Sequence, residues 1–113
     1  MTRIDATPIR ELNDRFRCQL DHSLGRWIIS SGVNEKGGLF VQRACRAVQQ
    51  FTDFKESNDP HGEHDLGRIE LDGETLLWKI DYYADKNLDA GSEDPSDPKR
   101  SYRVLTVMLA EEY

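Results

Sequence analysis

The chain has 113 residues and a net charge of −6, with 37% hydrophobic and 32% charged residues. This length is typical of one folded domain with a modest core, so we expect a single domain over residues 1–113. The longest apolar run, Trp27-Ile28-Ile29, is far too short to cross a bilayer, and the polar N-terminus lacks a signal-peptide pattern. We therefore expect a cytoplasmic protein without membrane contact, in which Cys18 and Cys45 are buried, reduced thiols.

A first helix is predicted to begin at Thr7, with Thr7 as the N-cap, Pro8 in the first turn and Glu11 completing a capping box. Apolar residues at three- and four-residue steps predict its buried stripe: Ile9, Leu12, Phe16 and Leu20. The charged residues between them are expected on the exposed side: Arg10, Asp14, Arg15 and Arg17.

A strand is predicted around Trp27–Ile29, and a turn-rich connection over residues 32–38 leads to a second helix from Leu39 to Phe51. Residues 53–65 are polar and contain a Pro-His-Gly turn, which indicates a loop.

The clearest local pattern is the Asp72-Gly73 pair between the alternating segments Leu66–Leu71 and Glu74–Tyr83. Such a pair predicts a two-residue β-hairpin, because both central residues of a type I′ turn need positive φ. A final strand is expected over about Tyr102–Leu109, and residues 84–100 are expected to form an extended, mobile acidic loop. The predicted fold is α+β, with two helices packed on a mostly antiparallel sheet of about four strands.

The charge is unevenly distributed along the chain. Residues 1–55 carry nine Lys or Arg and six acids, whereas residues 56–113 carry six Lys or Arg and fifteen acids. An acidic surface disfavours direct contact with nucleic acid and favours a basic protein surface as the partner. The same charge also keeps a small protein dispersed, so the pattern alone leaves both readings open. The binding residues predicted in the acidic loop are Asp89, Glu93, Asp94 and Asp97.

Chemistry-bearing residues concentrate in Asn58–Asp65, which holds two of the three histidines and three acids. If the hairpin turn uses only Asp72 and Gly73, its register places Gly67 opposite Trp78 and extends to place His64 opposite Asp81. Directly opposed Cβ atoms in a sheet lie about 5 Å apart, so a carboxylate there would orient the imidazole.

Three roles for this predicted contact remain open. His64 and Asp81 could act as a general acid and base, or they could form a structural hydrogen bond that anchors the loop. A divalent metal is a third possibility, with a predicted ligand set of His61, His64, Asp65 and Asp81.

The chain also resembles a known family in several segments: Ile9-Arg10-Glu11-Leu12-Asn13-Asp14, Asn58–Asp65, Trp78–Tyr83, Arg103–Ala110 and the terminal Glu112-Tyr113. They are similar to a bacterial domain-of-unknown-function family found chiefly in proteobacteria and often on plasmids or other mobile elements. The resemblance brings no established activity, cofactor or catalytic residue. It implies a small bacterial accessory protein that helps a mobile element persist.

Two functions of different class follow as hypotheses. The first is a non-enzymatic interaction or inhibitor module, anti-defence or nucleic-acid-mimicking, whose acidic loop engages a basic protein groove. The second is a small metal-dependent or acid–base hydrolase centred on His61, His64 and Asp81. The sequence does not identify the partner, the substrate, the metal or the oligomeric state.

Overall fold

The computed structural model describes residues 6–113 and has an α+β architecture. Its three α-helices are α1 (Thr7–Cys18), α2 (Ser31–Asn34) and α3 (Gly38–Gln49). Its four strands are β1 (Gly25–Ile29), β2 (Leu66–Leu71), β3 (Glu74–Tyr83) and β4 (Tyr102–Leu109). Short 3₁₀ turns cover His22–Leu24 and Ala110–Glu112. The predicted fold class is confirmed.

The four strands form one mixed sheet in the order β1-β4-β3-β2. The two pairs β2–β3 and β3–β4 are antiparallel, whereas β1 runs parallel to β4. The last strand therefore lies inside the sheet, between β1 and β3.

The predicted hairpin is confirmed together with its register. Asp72 and Gly73 adopt φ values of 51° and 80°, and Gly67 pairs with Trp78. A Cβ added to Gly67 would lie 2.2 Å from the Trp78 indole nitrogen, so only glycine leaves room for the ring. Position 67 therefore requires glycine, because any larger side chain would collide with the Trp78 ring.

The helices cover one side of the sheet. The core combines Leu12 and Phe16 of α1 with Ala44 and Val48 of α3 against the sheet residue Trp78, all buried. Further members come from the sheet, from α2 and from the start of α3: Val33, Phe40, Leu76, Ile80, Leu105, Val107 and Leu109. The helical side of β3 is therefore the side that carries Trp78 and Ile80.

Several predictions for the first helix are wrong. The N-cap is Ala6 rather than Thr7, and it makes no side-chain capping bond. Leu20 lies beyond the end of α1 and is 40% exposed, because the chain turns away there with a positive φ. Arg17, expected on the exposed side, is only 2% exposed.

Two other local expectations also change. The connection over residues 32–38 contains most of the short helix α2, which begins at Ser31 because the Ser30 side chain accepts a hydrogen bond from the Val33 backbone N–H and caps it. Cys18 is exposed rather than buried, and both cysteines are free thiols. Among residues 6–113, no helix is long and apolar enough to cross a membrane.

Candidate functional site

The segment Asn58–Asp65, called the histidine loop below, lies against α1 and leads directly into β2, which begins at Leu66. Its own turns are closed by Asp59, whose carboxylate accepts hydrogen bonds from the backbone N–H groups of Glu63 and His64. Two side chains of α1 bind the backbone of the loop from outside. Arg10 donates to the Gly62 carbonyl, and Asn13 donates to the Glu63 carbonyl at 3.0 Å. The loop is therefore fixed mainly by helix α1.

His64 lies between two carboxylates. Its Nδ1 is 3.0 Å from Asp14 of α1, and its Nε2 is 3.6 Å from Asp59 of the loop. The ring stacks on Phe54, with centroids 3.8 Å apart and planes only 6° from parallel. The side chain is 24% exposed, so the imidazole is partly buried where it links the histidine loop to α1.

The predicted contact between His64 and Asp81 is wrong. Strand β2 begins at Leu66, and His64 has a φ of 56°, which ends the strand alternation before the register can extend to Asp81. His64 therefore joins the helical side of the sheet. Asp81 lies on the opposite side and binds Lys79 at 2.9 Å.

The four predicted metal ligands are not brought together. His61 is exposed at the loop turn, whereas the Asp65 carboxylate accepts a hydrogen bond from the Tyr82 hydroxyl at 3.1 Å. Within residues 6–113, no group of three or more His, Cys, Asp or Glu side chains could hold a metal ion. Catalytic roles for His64 and Asp81 stay predictions, now without the contact that motivated them.

A buried polar network continues from the histidine loop into the sheet. Asn13, fully buried, donates to the Tyr82 hydroxyl at 2.7 Å and accepts from Arg103 Nε of β4 at 2.5 Å. Arg103 also donates to the Ser101 hydroxyl at 3.0 Å and to the Pro95 carbonyl at 2.6 Å. One asparagine thus connects the histidine loop, two strands and the segment before β4.

The environment of this network shifts three pKa values. Burial, helped by the Asp65 carboxylate, raises the pKa of Glu63. Burial, again with Asp65 nearby, also raises the pKa of the Tyr82 hydroxyl above its ordinary range. Burial lowers the pKa of Arg103. Each shift has desolvation as its largest cause.

Arg17 is a second buried cation with a structural role. It donates to the carbonyls of Val48 and Phe51 at 2.7 and 3.0 Å, which satisfies acceptors at the end of α3. Its guanidinium also lies 5.0 Å from the Trp78 ring centroid. Arg17 therefore joins α1 to α3 across the core.

Sequence reasoning missed Asn13, Arg17 and Arg103 as key residues. A signal was present for Asn13, because it follows Leu12 directly and precedes Phe16 by three residues, on the same helical side. Arg103 stands in a strand whose other residues are mostly apolar, which is unusual for a charged side chain.

Residues 84–100, called the acidic loop below, connect β3 to β4 and form several hydrogen bonds within the segment. The mobility expected of this loop stays a prediction. Tyr83 forms an isolated bridge with Gly91, and Ala84 donates to the Ala90 carbonyl at 2.8 Å. Asp94 accepts from Ser96, and Asp97 accepts from the Lys99 backbone, so these two predicted binding residues close turns. Asp89 and Glu93 are exposed.

The geometry at His64 limits its chemistry. A general base needs an imidazole nitrogen that can reach a substrate proton. Here the Asp14 carboxylate is hydrogen-bonded to Nδ1, and the Asp59 carboxylate lies 3.6 Å from Nε2. Both ring nitrogens therefore point at carboxylates of the same chain. The arrangement suits a structural tie better than proton transfer.

Comparison with known families adds one result. Residues 29–112 match DUF3768, described as a protein of unknown function. The chain belongs to this family. The DUF3768 match includes the histidine loop, the hairpin, the acidic loop and β4, whereas α1 precedes it. No curated protein and no solved structure matches the chain. The expected membership of a family of unknown function is confirmed by this match.

Proposed function

We propose that this DUF3768 protein is a non-enzymatic interaction module whose acidic loop binds a basic surface on another protein. One observation carries the proposal: the loop uses Asp94 and Asp97 to fix its own shape and leaves Asp89 and Glu93 exposed. The four predicted binding residues therefore divide into two that build the loop and two that a partner can reach.

The shape of the loop is held from several directions. Ser92 donates through its backbone N–H to the Tyr82 carbonyl at 3.1 Å and through its hydroxyl to the Arg100 carbonyl at 2.8 Å. Ser101 donates to the Asp97 carbonyl, and Arg103 donates to Pro95. A loop fixed before binding loses less conformational entropy when a partner docks. This favours recognition by a preformed surface.

The charge of the loop determines the class of partner. Exposed carboxylates repel the phosphates of nucleic acid and accelerate encounter with a basic protein surface. Glu93 is available for this because its side chain is 89% exposed and its contact with Arg100 is long, at 3.5 Å. The proposed partner is a protein with a groove rich in Lys and Arg.

A finer proposal concerns the biological setting. The resemblance of the Asn58–Asp65 and Trp78–Tyr83 motifs to a plasmid-associated bacterial family supports a role in the persistence of a mobile element. In that setting the basic groove would belong to a nucleic-acid-binding host protein, and the acidic loop would compete with nucleic acid for it. The protein would then act as an inhibitor.

The test uses the full chain immobilised for capture from bacterial lysate. The double variant Asp89→Asn/Glu93→Gln is compared with the control Asp53→Asn/Glu56→Gln, which removes the same charge from another exposed segment. Because exposed charge pairs contribute about 0.2–1 kcal/mol each, the loss of two should weaken capture by roughly two- to thirtyfold. The control should retain it.

Competition identifies the groove. Added duplex DNA should displace the captured protein if the acidic loop occupies a nucleic-acid site. Equal losses of capture in both double variants would show that only net charge matters, and the loop would not be the binding element.

The hydrolase alternative retains one supporting observation, the 3.0 Å contact between His64 and Asp14, since a carboxylate can orient a catalytic imidazole. Thermal unfolding with added zinc, manganese or chelator separates its metal-dependent form from the interaction module. Stabilisation by a metal that disappears in His61→Ala and His64→Ala would favour the hydrolase. We expect the unfolding temperature to be unaffected by all three additions.

A further inference from the structure

The sheet has a second side that faces away from the helices, called the open face below. Its two central strands carry four pairs of neighbouring side chains. Alternation also places Arg26 and Ile28 of β1 on this side. The core described above uses the other side of every strand. Val104 and Met108 are buried, with 4% and 5% exposure, yet they do not belong to that core cluster.

The open face combines apolar side chains with the charged pair Lys79 and Asp81 at its centre. Ile28 is 39% exposed, and Leu66 at the opposite edge is 37% exposed. Between them lie half-buried Leu77, Thr106 and Tyr83, and the buried pair already named. An antiparallel sheet can leave one side to water, but that side then usually alternates to polar residues. Here the central strands carry apolar Leu77, Val104 and Met108 beside Lys79, Asp81 and Thr106.

The register arranges the central side chains in four rows. Tyr83 lies beside Tyr102, and Asp81 lies beside Val104 in the next row. Lys79 then lies beside Thr106, and Leu77 beside Met108. The rows therefore run aromatic, acidic, basic and aliphatic along the strands.

This order is self-complementary. A two-fold axis that crosses the strands between the Asp81 and Lys79 rows exchanges the two inner rows and the two outer rows. Lys79 of one protomer then faces Asp81 of the other, twice. Leu77 and Met108 face Tyr83 and Tyr102, and thioether contacts with aromatic rings are favourable.

From this pattern we infer that the open face binds a second copy of the same chain, forming a two-fold sheet-on-sheet dimer. An isologous interface requires each patch to complement itself, and the row order meets that condition in both charge and side-chain type. In the free chain, Lys79 and Asp81 bind each other at 2.9 Å. In the dimer the two pairs merge into one group of four alternating charges.

The size of the face sets the expected strength. The two central strands carry eight open-face positions and each outer strand carries two within the same rows. Strands about 4.8 Å apart and rows about 6.8 Å apart then give a footprint of roughly 400 Å² per protomer. Stable interfaces bury about 800 Å² per partner. Side chains project from the sheet, so the accessible area buried per protomer is larger than this footprint. The proposed interface is still among the smaller specific interfaces in buried area. We expect a dissociation constant in the micromolar range.

The test is sedimentation of the full chain over concentrations from about 1 to about 500 µM, with charge reversals on the open face. Lys79→Glu places Glu opposite Asp81 at two symmetric positions, and Asp81→Lys places Lys opposite Lys79. Each variant alone should dimerise at least about tenfold more weakly than the wild type. A mixture of the two should recover dimers, because the acidic face of one then opposes the basic face of the other.

Matched controls change the same charge elsewhere. Lys86→Glu and Glu56→Lys alter exposed loop residues and should leave dimerisation intact. Thr106→Arg adds bulk at the centre of the open face without reversing a charge pair, and it should abolish the dimer. Circular dichroism checks that each variant is folded, which is expected because exposed ion pairs such as Lys79–Asp81 contribute little to stability.

Two results would overturn the inference. One is a wild-type chain that stays monomeric over the whole concentration range. The other is a wild-type dimer that survives both charge reversals and Thr106→Arg, because the interface would then lie on another surface. Neither result depends on the acidic loop or its partner.

Discussion

Asn13→Ala is the sharpest single test of how the histidine loop is held. The Asn13 side chain is fully buried and makes three hydrogen bonds, to the Glu63 carbonyl, the Tyr82 hydroxyl and the Arg103 guanidinium. Alanine removes all three and adds no new partner. Tyr82 keeps its bond to Asp65, whereas Arg103 Nε and the Glu63 carbonyl lose a partner.

The expected loss is about 3 kcal/mol of unfolding free energy. A hydrogen bond to a charged group contributes about 1.5–3 kcal/mol, and a neutral one about 0.5–1.5 kcal/mol. The hydrogen bond to the charged Arg103 therefore accounts for most of the lost free energy. The bond to the Glu63 carbonyl accounts for the rest, and its share is small because this bond is only partly buried. A domain of this size has a total stability of about 5–15 kcal/mol, so the variant should still fold.

Urea unfolding followed by tryptophan fluorescence measures this loss. With a slope near 1.5 kcal/mol per molar, the midpoint should fall by about 2 M. Asn34→Ala is the matched control: its side chain makes one exposed bond of 3.3 Å, and its stability should change by about 0.5 kcal/mol or less. A loss below about 1 kcal/mol for Asn13→Ala, with an unchanged slope, would refute the central role given to this residue.

Three further outcomes follow. Gly67→Ala should destabilise the fold by about 3 kcal/mol or prevent folding, because the added Cβ meets the Trp78 ring; calorimetry of the purified variant checks this. Since burial raises the pKa of Glu63, the folded state holds that proton more tightly than the unfolded state, so its ionisation lowers stability as pH rises above the unfolded pKa. Glu63→Gln should therefore gain stability relative to the wild type as the pH rises above the ordinary pKa of 4.5 in urea titrations, and a constant difference would contradict this. His64→Ala should speed limited proteolysis within residues 58–65, and an unchanged cleavage rate would show that the imidazole does not fix the loop.

The hairpin was predictable because its determinants are local. Asp72 and Gly73 tolerate positive φ, and that property alone fixes the register as far as Leu66. The register does not extend to His64, two residues before Leu66, because the backbone leaves the sheet there and the His64 side chain contacts Asp14 of α1. A strand register can be extended only while the backbone remains extended. No local sequence pattern indicates the residue at which this backbone leaves the sheet.

The buried cations illustrate a different limit. Arg17 lies on a helix at a position that periodicity assigns to the outside, yet the carbonyls at the end of α3 accept its hydrogen bonds. These partners are distant in sequence, so no local pattern reports them. The same holds for the parallel pairing of β1 with β4, which depends on the whole fold rather than on either segment.

That parallel pairing has a consequence for the order of assembly during synthesis. Gly25 pairs with Arg103, and β1 contacts no other strand, so the first strand to emerge from the ribosome must wait for β4 before it can join the sheet. The hairpin of β2 and β3 forms earlier but lacks its inner neighbour until the same moment. The complete sheet is therefore expected to form only after β4 has been synthesised, and β1 stays unpaired until then.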